Sequence, residues 1–269
     1  MQSNLVYTGL FDIGREQIDG RKFEEYQKWL VKTISIFPGI YVFHDGNLDD
    51  LSRLNCNLIK IKFSDLKIFS KYHLVANLLK TFMPESPSDI TFKTPLYSLV
   101  QYSKFELANQ LRAITKFDSV LWVDAGISRF INSIDNNLLD SNLNKLISKG
   151  KVAAFEIDLR RNLDFKNMSI KNAKVGTCRR VISGTSFWMH DSIIDKMNYL
   201  IYAKFEEWFE LGVWDNEQVL IRILLGENDL NVEYVLQNKN MTGSVARKFG
   251  SSNVSTFDIS SKIIAFMLK

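Results

Sequence analysis

The stretch SVLWVDAGISRF, residues 119–130, decides how this chain is read. Four of its first five residues are apolar, which suits a strand buried on both faces. An acid, two small residues and then an arginine follow. A strand of this kind delivers Asp124 to its carboxyl end, with Ala125 and Gly126 leaving room beside the carboxylate. Such an acid can hold a hard divalent cation, which would bridge the oxygens of a diphosphate, and Arg129 adds charge for phosphate. The alternative reading makes Asp124 the cap of a short helical turn over 127–130.

Outward from this strand, the hydrophobic pattern alternates between two periods. Runs rich in β-branched and aromatic residues predict strands at 5–9, 40–44, 58–62, 151–157, 181–189 and 232–236. Helical spacing predicts helices at 23–35, 71–82, 97–116, 135–148, 192–210 and 216–225, with PESPSD around Pro84 as a loop. The first helix carries Phe23, Tyr26, Leu30, Val31 and Ile34 on one side, and Pro38-Gly39 stops it. Strands that alternate with helices argue for an α/β fold, a mixed and mostly parallel sheet with helices on both faces. Ligands of such sheets bind beyond the carboxyl ends of the strands. No linker or repeat divides the 269 residues, so one domain is expected.

Composition narrows the classes. The chain is 46% hydrophobic and 24% charged with a net charge of +4, ordinary values for a globular protein. This charge is too small, and lacks the basic stripe and aromatic interleaving, for a nucleic-acid binder, but it suits an anionic ligand. Cys56 and Cys178 show no metal or redox spacing and read as reduced thiols. The start MQSNLVYTGLF lacks a signal-peptide pattern, and no apolar run reaches the ~20 residues of a membrane helix. A cytoplasmic setting is expected, in which the sequons at Asn167, Asn240 and Asn253 carry no sugar. The pairs Arg160-Arg161 and Arg179-Arg180 are either solvated charge or a peripheral contact with an anionic membrane.

The other strand ends supply further candidates. After the first strand, Gly14 permits a turn or a close approach, and Arg15 can fork onto a diphosphate. His44-Asp45-Gly46 reads as a turn with a structural histidine. Lys104 stands either on an exposed helix face or within reach of a phosphate. Ser183-Gly184-Thr185-Ser186 puts small residues inside a strand, as a bulge or as a place where a ligand comes close. In VWDNEQVLI, Asp215 as N-cap and Gln218 three residues later fit a capping box. Glu217 stands in the first turn, where an acid suits the helix dipole and could also serve as general base. Thr242-Gly243-Ser244 with Arg247-Lys248 reads as a solvated loop or an anion cover.

Taken in order, TGLFDIGR, YSKFELA, LWVDAGISRF, SGTSFW and WDNEQVLI resemble the HtrL/YibB-like family of bacterial proteins, over roughly residues 5–226. That family is similar to glycosyltransferases of the GT-A fold, found with surface polysaccharide or lipooligosaccharide assembly. The resemblance implies a transferase that moves a sugar from a nucleotide-sugar donor, UDP-sugar by expectation, to a glycan or glycolipid acceptor. It implies Mn²⁺ or Mg²⁺ at an Asp-X-Asp motif, with Asp124 as first acid. Gly126 replaces the second acid, so either Asp124 holds the metal with water and phosphate, or Arg129, Lys104 and Arg15 replace it. The resemblance places Asp215 or Glu217 near the acceptor, as the base that deprotonates its hydroxyl in an inverting enzyme or as the acid residue that orients the sugar in a retaining one, and Ser183, Gly184, Thr185, Gly14 and Gln218 along the substrate pocket. The rival from another class is a GT-like subunit that binds without catalysing, favoured by the missing second acid. A sugar nucleotidyltransferase fits less well, because FDIGR is poor in glycine.

Overall fold

The computed structural model describes residues 3–46, 48–81, 90–157 and 182–236. The segments around Pro84, Arg160-Arg161, Cys178, Arg179-Arg180 and Thr242 to Lys248, and all three sequons, lie outside them. Seven strands form one sheet: β1 (Asn4–Leu10), β2 (Ile40–His44), β3 (Cys56–Lys60), β4 (Ser119–Val123), β5 (Ala153–Ile157), β6 (Ile182–His190) and β7 (Val232–Leu236). Among the described residues, seven α-helices accompany them: α1 (Arg15–Asp19), α2 (Phe23–Ile36), α3 (Tyr72–Thr81), α4 (Pro95–Ile114), α5 (Asn136–Ser148), α6 (Ile194–Leu211) and α7 (Glu217–Glu227).

The sheet order is β3-β2-β1-β4-β6-β5-β7. Every adjacent pair is parallel except the two that β6 makes, with β4 and with β5. The expected mixed, mostly parallel sheet flanked by helices is therefore what forms. Side-chain alternation explains why β4 sits at its centre. Val120 and Trp122 enter one core beneath α3, α4, α6 and α7. Leu121 and Val123 enter the other beneath α2 and α5. All five residues of β4 are buried, as a strand covered on both faces requires.

The reversal of β6 changes which residues meet at the ligand edge. Its register pairs Val123 with Ser186, so β6 begins where β4 ends. Ser183, Gly184 and Thr185 thus reach the carboxyl edge from the start of a strand rather than from its end. Thr185 confirms the join, since its carbonyl accepts the Asp124 amide at 2.8 Å.

Local signals fix the helix ends. Asp135 caps α5, accepting from the amides of Asn137 and Leu138. At α7 the cap lies one residue later than the sequence suggests: Asn216, not Asp215, accepts from the amides of Gln218 and Val219. The short helix α1 was not expected at all. It buries none of its five residues, and left-handed glycines, Gly14 and Gly20, bracket it.

Candidate functional site

A cavity of about 500 Å³ opens at the carboxyl edge of β1 and β4. Gly14, Arg15, Lys104, Asp124, Ala125, Gly126 and Arg129 all line it, as the sequence leads one to expect. Asp215, Glu217, Gln218, Ser183, Gly184 and Thr185 do not. Tyr26, Tyr97, Trp122 and Arg21 line it too, and sequence reading missed all four. Tyr97 stands seven residues before Lys104, two helical turns along the same face, so the period carried a signal for it. Tyr26 was hidden in the apolar stripe of α2.

Asp124 is the strand-end acid on this space, which Asp12, Glu16 and Glu24 also line. Its side chain is 29% exposed. The Trp122 indole donates to its Oδ1 at 3.2 Å. The capping alternative fails, because the turn at Ile127–Arg129 has no side-chain cap. Burial pushes the Asp124 carboxyl above its usual range, and the nearby Glu217 adds to this, against Lys104, Trp122 and Arg129.

Lys104 is neither on an exposed helix face nor free to meet a phosphate. Helix α4 is buried through most of its length, and the Lys104 side chain is 2% exposed. Its Nζ donates to the Gly184 carbonyl at 2.7 Å and to Glu217 Oε1 at 3.1 Å. Asp124 Oδ1 lies 3.6 Å away. Burial works against the charge on Lys104, but Asp124 and Glu217 outweigh it and raise its pKa. A buried ammonium between two carboxylates is the one arrangement in which this charge stays in the interior at tolerable cost.

The start of α7 forms the floor beneath that lysine. Glu217 is 3% exposed and Asp215 5%. Tyr102 donates its hydroxyl to the Asp215 carbonyl at 2.8 Å, which fixes the chain just before the helix. A Cβ on Gly184 would overlap the Glu217 carboxylate and come within 2.9 Å of Gln218 Nε2. The close approach that Gly184 allows is therefore that of α7, not that of a ligand. The hydroxyls of Ser183 and Thr185 bond each other at 2.7 Å. Neither Asp215 nor Glu217 opens onto the cavity, so the expected base has no contact with it among the described residues.

Arg15, Arg21 and Arg129 bring positive charge to the same cavity. Arg15 lies 5.5 Å from the centroid of Tyr26 and 5.1 Å from that of Tyr97, and its guanidinium pairs with Asp19. Gly14 supplies a turn with φ 68° and open space around it. Arg129 stacks 4.5 Å over Trp29 and donates from Nε to the Gly126 carbonyl at 3.0 Å, which aims its free end at the cavity. His44 is buried, with Nδ1 2.9 Å from the Gly46 carbonyl, and acts in the turn as expected.

With Lys104 in place, the described residues do not fit a metal ion. No three of their acids, histidines or cysteines converge. Of the four acids that line the cavity, Asp124 already has the Lys104 ammonium beside it, and Asp12 accepts the Gly14 amide; Glu16 and Glu24 are the others. The residues present instead suit an anion with a flat ring or sugar. Arginines would neutralise it, and aromatic walls would stack against it.

No family model and no curated protein matches this chain. The solved structures similar to it in fold include two synthases. One is 4-diphosphocytidyl-2C-methyl-D-erythritol synthase from Anaerococcus prevotii DSM 20548, 14% identical with a TM-score of 0.41, covering 92% of this chain and 94% of that one. The other is core-mannan synthase A from Aspergillus fumigatus in its Mn/GDP form, 9% identical with a TM-score of 0.47, covering 87% of this chain and 73% of that one. These likenesses are loose, and what this site does is read from its own residues.

Proposed function

We propose that this chain is a GT-A-like glycosyltransferase of the HtrL/YibB-like kind, using a nucleotide-activated sugar. The observation that supports the reading most is the cavity at the carboxyl edge of β4, where Asp124, three arginines and two tyrosines face one space. Its volume suits a small organic ligand. The aromatic side chains offer faces for a base or a sugar ring. Arg15, Arg21 and Arg129 offer charge for a diphosphate. Oδ2 of Asp124 accepts from no described residue and is placed to take hydrogen bonds from sugar hydroxyls.

In this reading the acceptor is a glycan or glycolipid hydroxyl, and the setting is surface polysaccharide or lipooligosaccharide assembly, as the family resemblance implies. The bond from the anomeric carbon to the diphosphate breaks, and its electron pair stays on the diphosphate. The arginines stabilise that developing charge. The acceptor oxygen bonds to the anomeric carbon, and its proton passes to water. Asp124 orients the sugar, and Glu217 supports it through Lys104.

A second reading rests on one observation: the acids at the start of α7 are sealed from the cavity. A subunit that binds a nucleotide sugar without transferring it would tolerate that. A thermal-shift panel with UDP, GDP, CDP and dTDP separates the cases. Saturation at about 100 times the dissociation constant adds roughly 2.7 kcal/mol, a shift of several degrees for a chain of this size. One nucleotide should shift wild type and shift Arg129→Ala less. Release of free sugar from the matching donor then marks an enzyme, and binding without release marks the subunit. No shift with any of the four rejects both.

A further inference from the structure

Three oxygens from three separate elements surround the Lys104 ammonium. They are the Gly184 carbonyl at the start of β6, the Glu217 carboxylate at the start of α7, and the Asp124 carboxylate at the end of β4. Two carboxylates and a carbonyl are the donor set of a hard divalent cation. Here the long arm of a lysine fills the point on which they converge. We propose that Lys104 occupies a cation site built by this chain, and that removing its side chain opens that site to one hard divalent ion such as Mn²⁺.

Several features argue that the place is built for a positive charge rather than for this lysine's packing. The Lys104 side chain is almost wholly out of water, yet it ends among oxygens and not among apolar groups. The Trp122 ring lies 5.4 Å from Nζ and adds its negative face to the same point. Gly184 lacks the Cβ that would keep the Glu217 carboxylate away. The other cations near Asp124 are held elsewhere: Arg129 by the Gly126 carbonyl, and Arg15 by Asp19. With Gly126 in place of a second acid at the strand end, Glu217 becomes the partner carboxylate, contributed from α7 across the sheet edge.

The consequence is a tethered counter-ion. Asp124 keeps a fixed positive neighbour whatever the metal supply. Glu217 is a positioning residue that holds Lys104 beneath it. This inference stands on the charge cluster alone and does not need the cavity's ligand to be a nucleotide sugar.

The test uses the whole chain without nucleotide, so its outcome is separate from that of the thermal-shift panel. Mn²⁺ is titrated into wild type, Lys104→Ala and Lys104→Ala/Glu217→Gln, and free Mn²⁺ is read by its electron paramagnetic resonance signal. Melting is followed in EDTA and in Mn²⁺. Lys104→Ala should bind one Mn²⁺ that wild type does not bind, and Mn²⁺ should raise its melting temperature by several degrees. The double variant should bind at least tenfold more weakly and should melt higher than Lys104→Ala in EDTA, because one of two unbalanced carboxylates is gone. Binding of Mn²⁺ at Asp124 in wild type, lost in Asp124→Asn, would overturn the proposal. So would a folded Lys104→Ala that gains no site. If Lys104→Ala unfolds in EDTA while the double variant folds, the proposal is supported. If neither folds, it is overturned, since neutralising Glu217 then relieves nothing.

Discussion

Gly184 shows how much one absent side chain controls. The space over its Cα is filled by Glu217 and Gln218, and the carbonyl it carries receives the Lys104 ammonium. Gly184→Ala should therefore push α7 outward and cost about 1–3 kcal/mol, as overpacking of a filled interior does. The urea midpoint of the variant checks this, and an unchanged midpoint would mean that the floor yields freely. Lys104 is the other residue on which the site turns. Removing one member of a buried ion pair leaves a charge uncompensated and typically costs about 3–5 kcal/mol. Lys104→Ala should lose stability on that order in EDTA, and Lys104→Ala/Glu217→Gln should lose less.

Among the elements, α7 depends most on its cap. Asn216 satisfies two amides of the first turn from a position 4% exposed. Asn216→Ala should cost about 0.5–2 kcal/mol, and Asn216→Asp should keep most of it. Chemical denaturation of the two variants separates them. The sequence marks this helix but misplaces its cap by one residue. Asp215, Asn216 and Glu217 all suit a helix start; in the fold the Asp215 carboxylate accepts the Asn216 amide and its carbonyl takes the Tyr102 hydroxyl, 113 residues away in the chain, which leaves Asn216 as the cap. The same contrast runs through the fold. Strand β4 and helices α2 and α5 are legible because their apolar period is local. Helix α1 is not, since five residues with none buried cannot register a period. Within the site, Asp124, Arg15 and Arg129 were legible as strand-end residues. The role of Lys104 was not. Its partners lie 80 and 113 residues away, and a helix buried on nearly every side offers no polar face to read.

For the molecule as a whole, the tyrosines set an alkaline limit. Burial pushes Tyr97 up from the ordinary value of 10 to about 12, and raises Tyr7, Tyr102 and Tyr202 as well. The folded chain thus holds these phenols protonated, while the unfolded chain ionises them near pH 10. Their contribution is fully present below the ordinary tyrosine value and is lost as pH rises through the folded values. Stability should fall steadily from pH 10 towards 12, the window given by Tyr97. Urea midpoints across that range check the slope. Tyrosinate absorbance checks the cause, because these four rings should ionise only as the chain unfolds. Early ionisation of every tyrosine in the native protein would remove this account.

The placement of the tryptophans has a practical consequence. Trp188, Trp208 and Trp214 are sealed in the two cores, while Trp122 stands in the cavity wall with its indole N–H on Asp124. The protein therefore carries its own optical reporter. A guest that touches Asp124 and Arg129 alters the emission of Trp122 and of Trp29, over which Arg129 stacks, against a steady background from the three buried indoles. Occupancy can then be followed by light from the unlabelled protein, before any substrate or product is known.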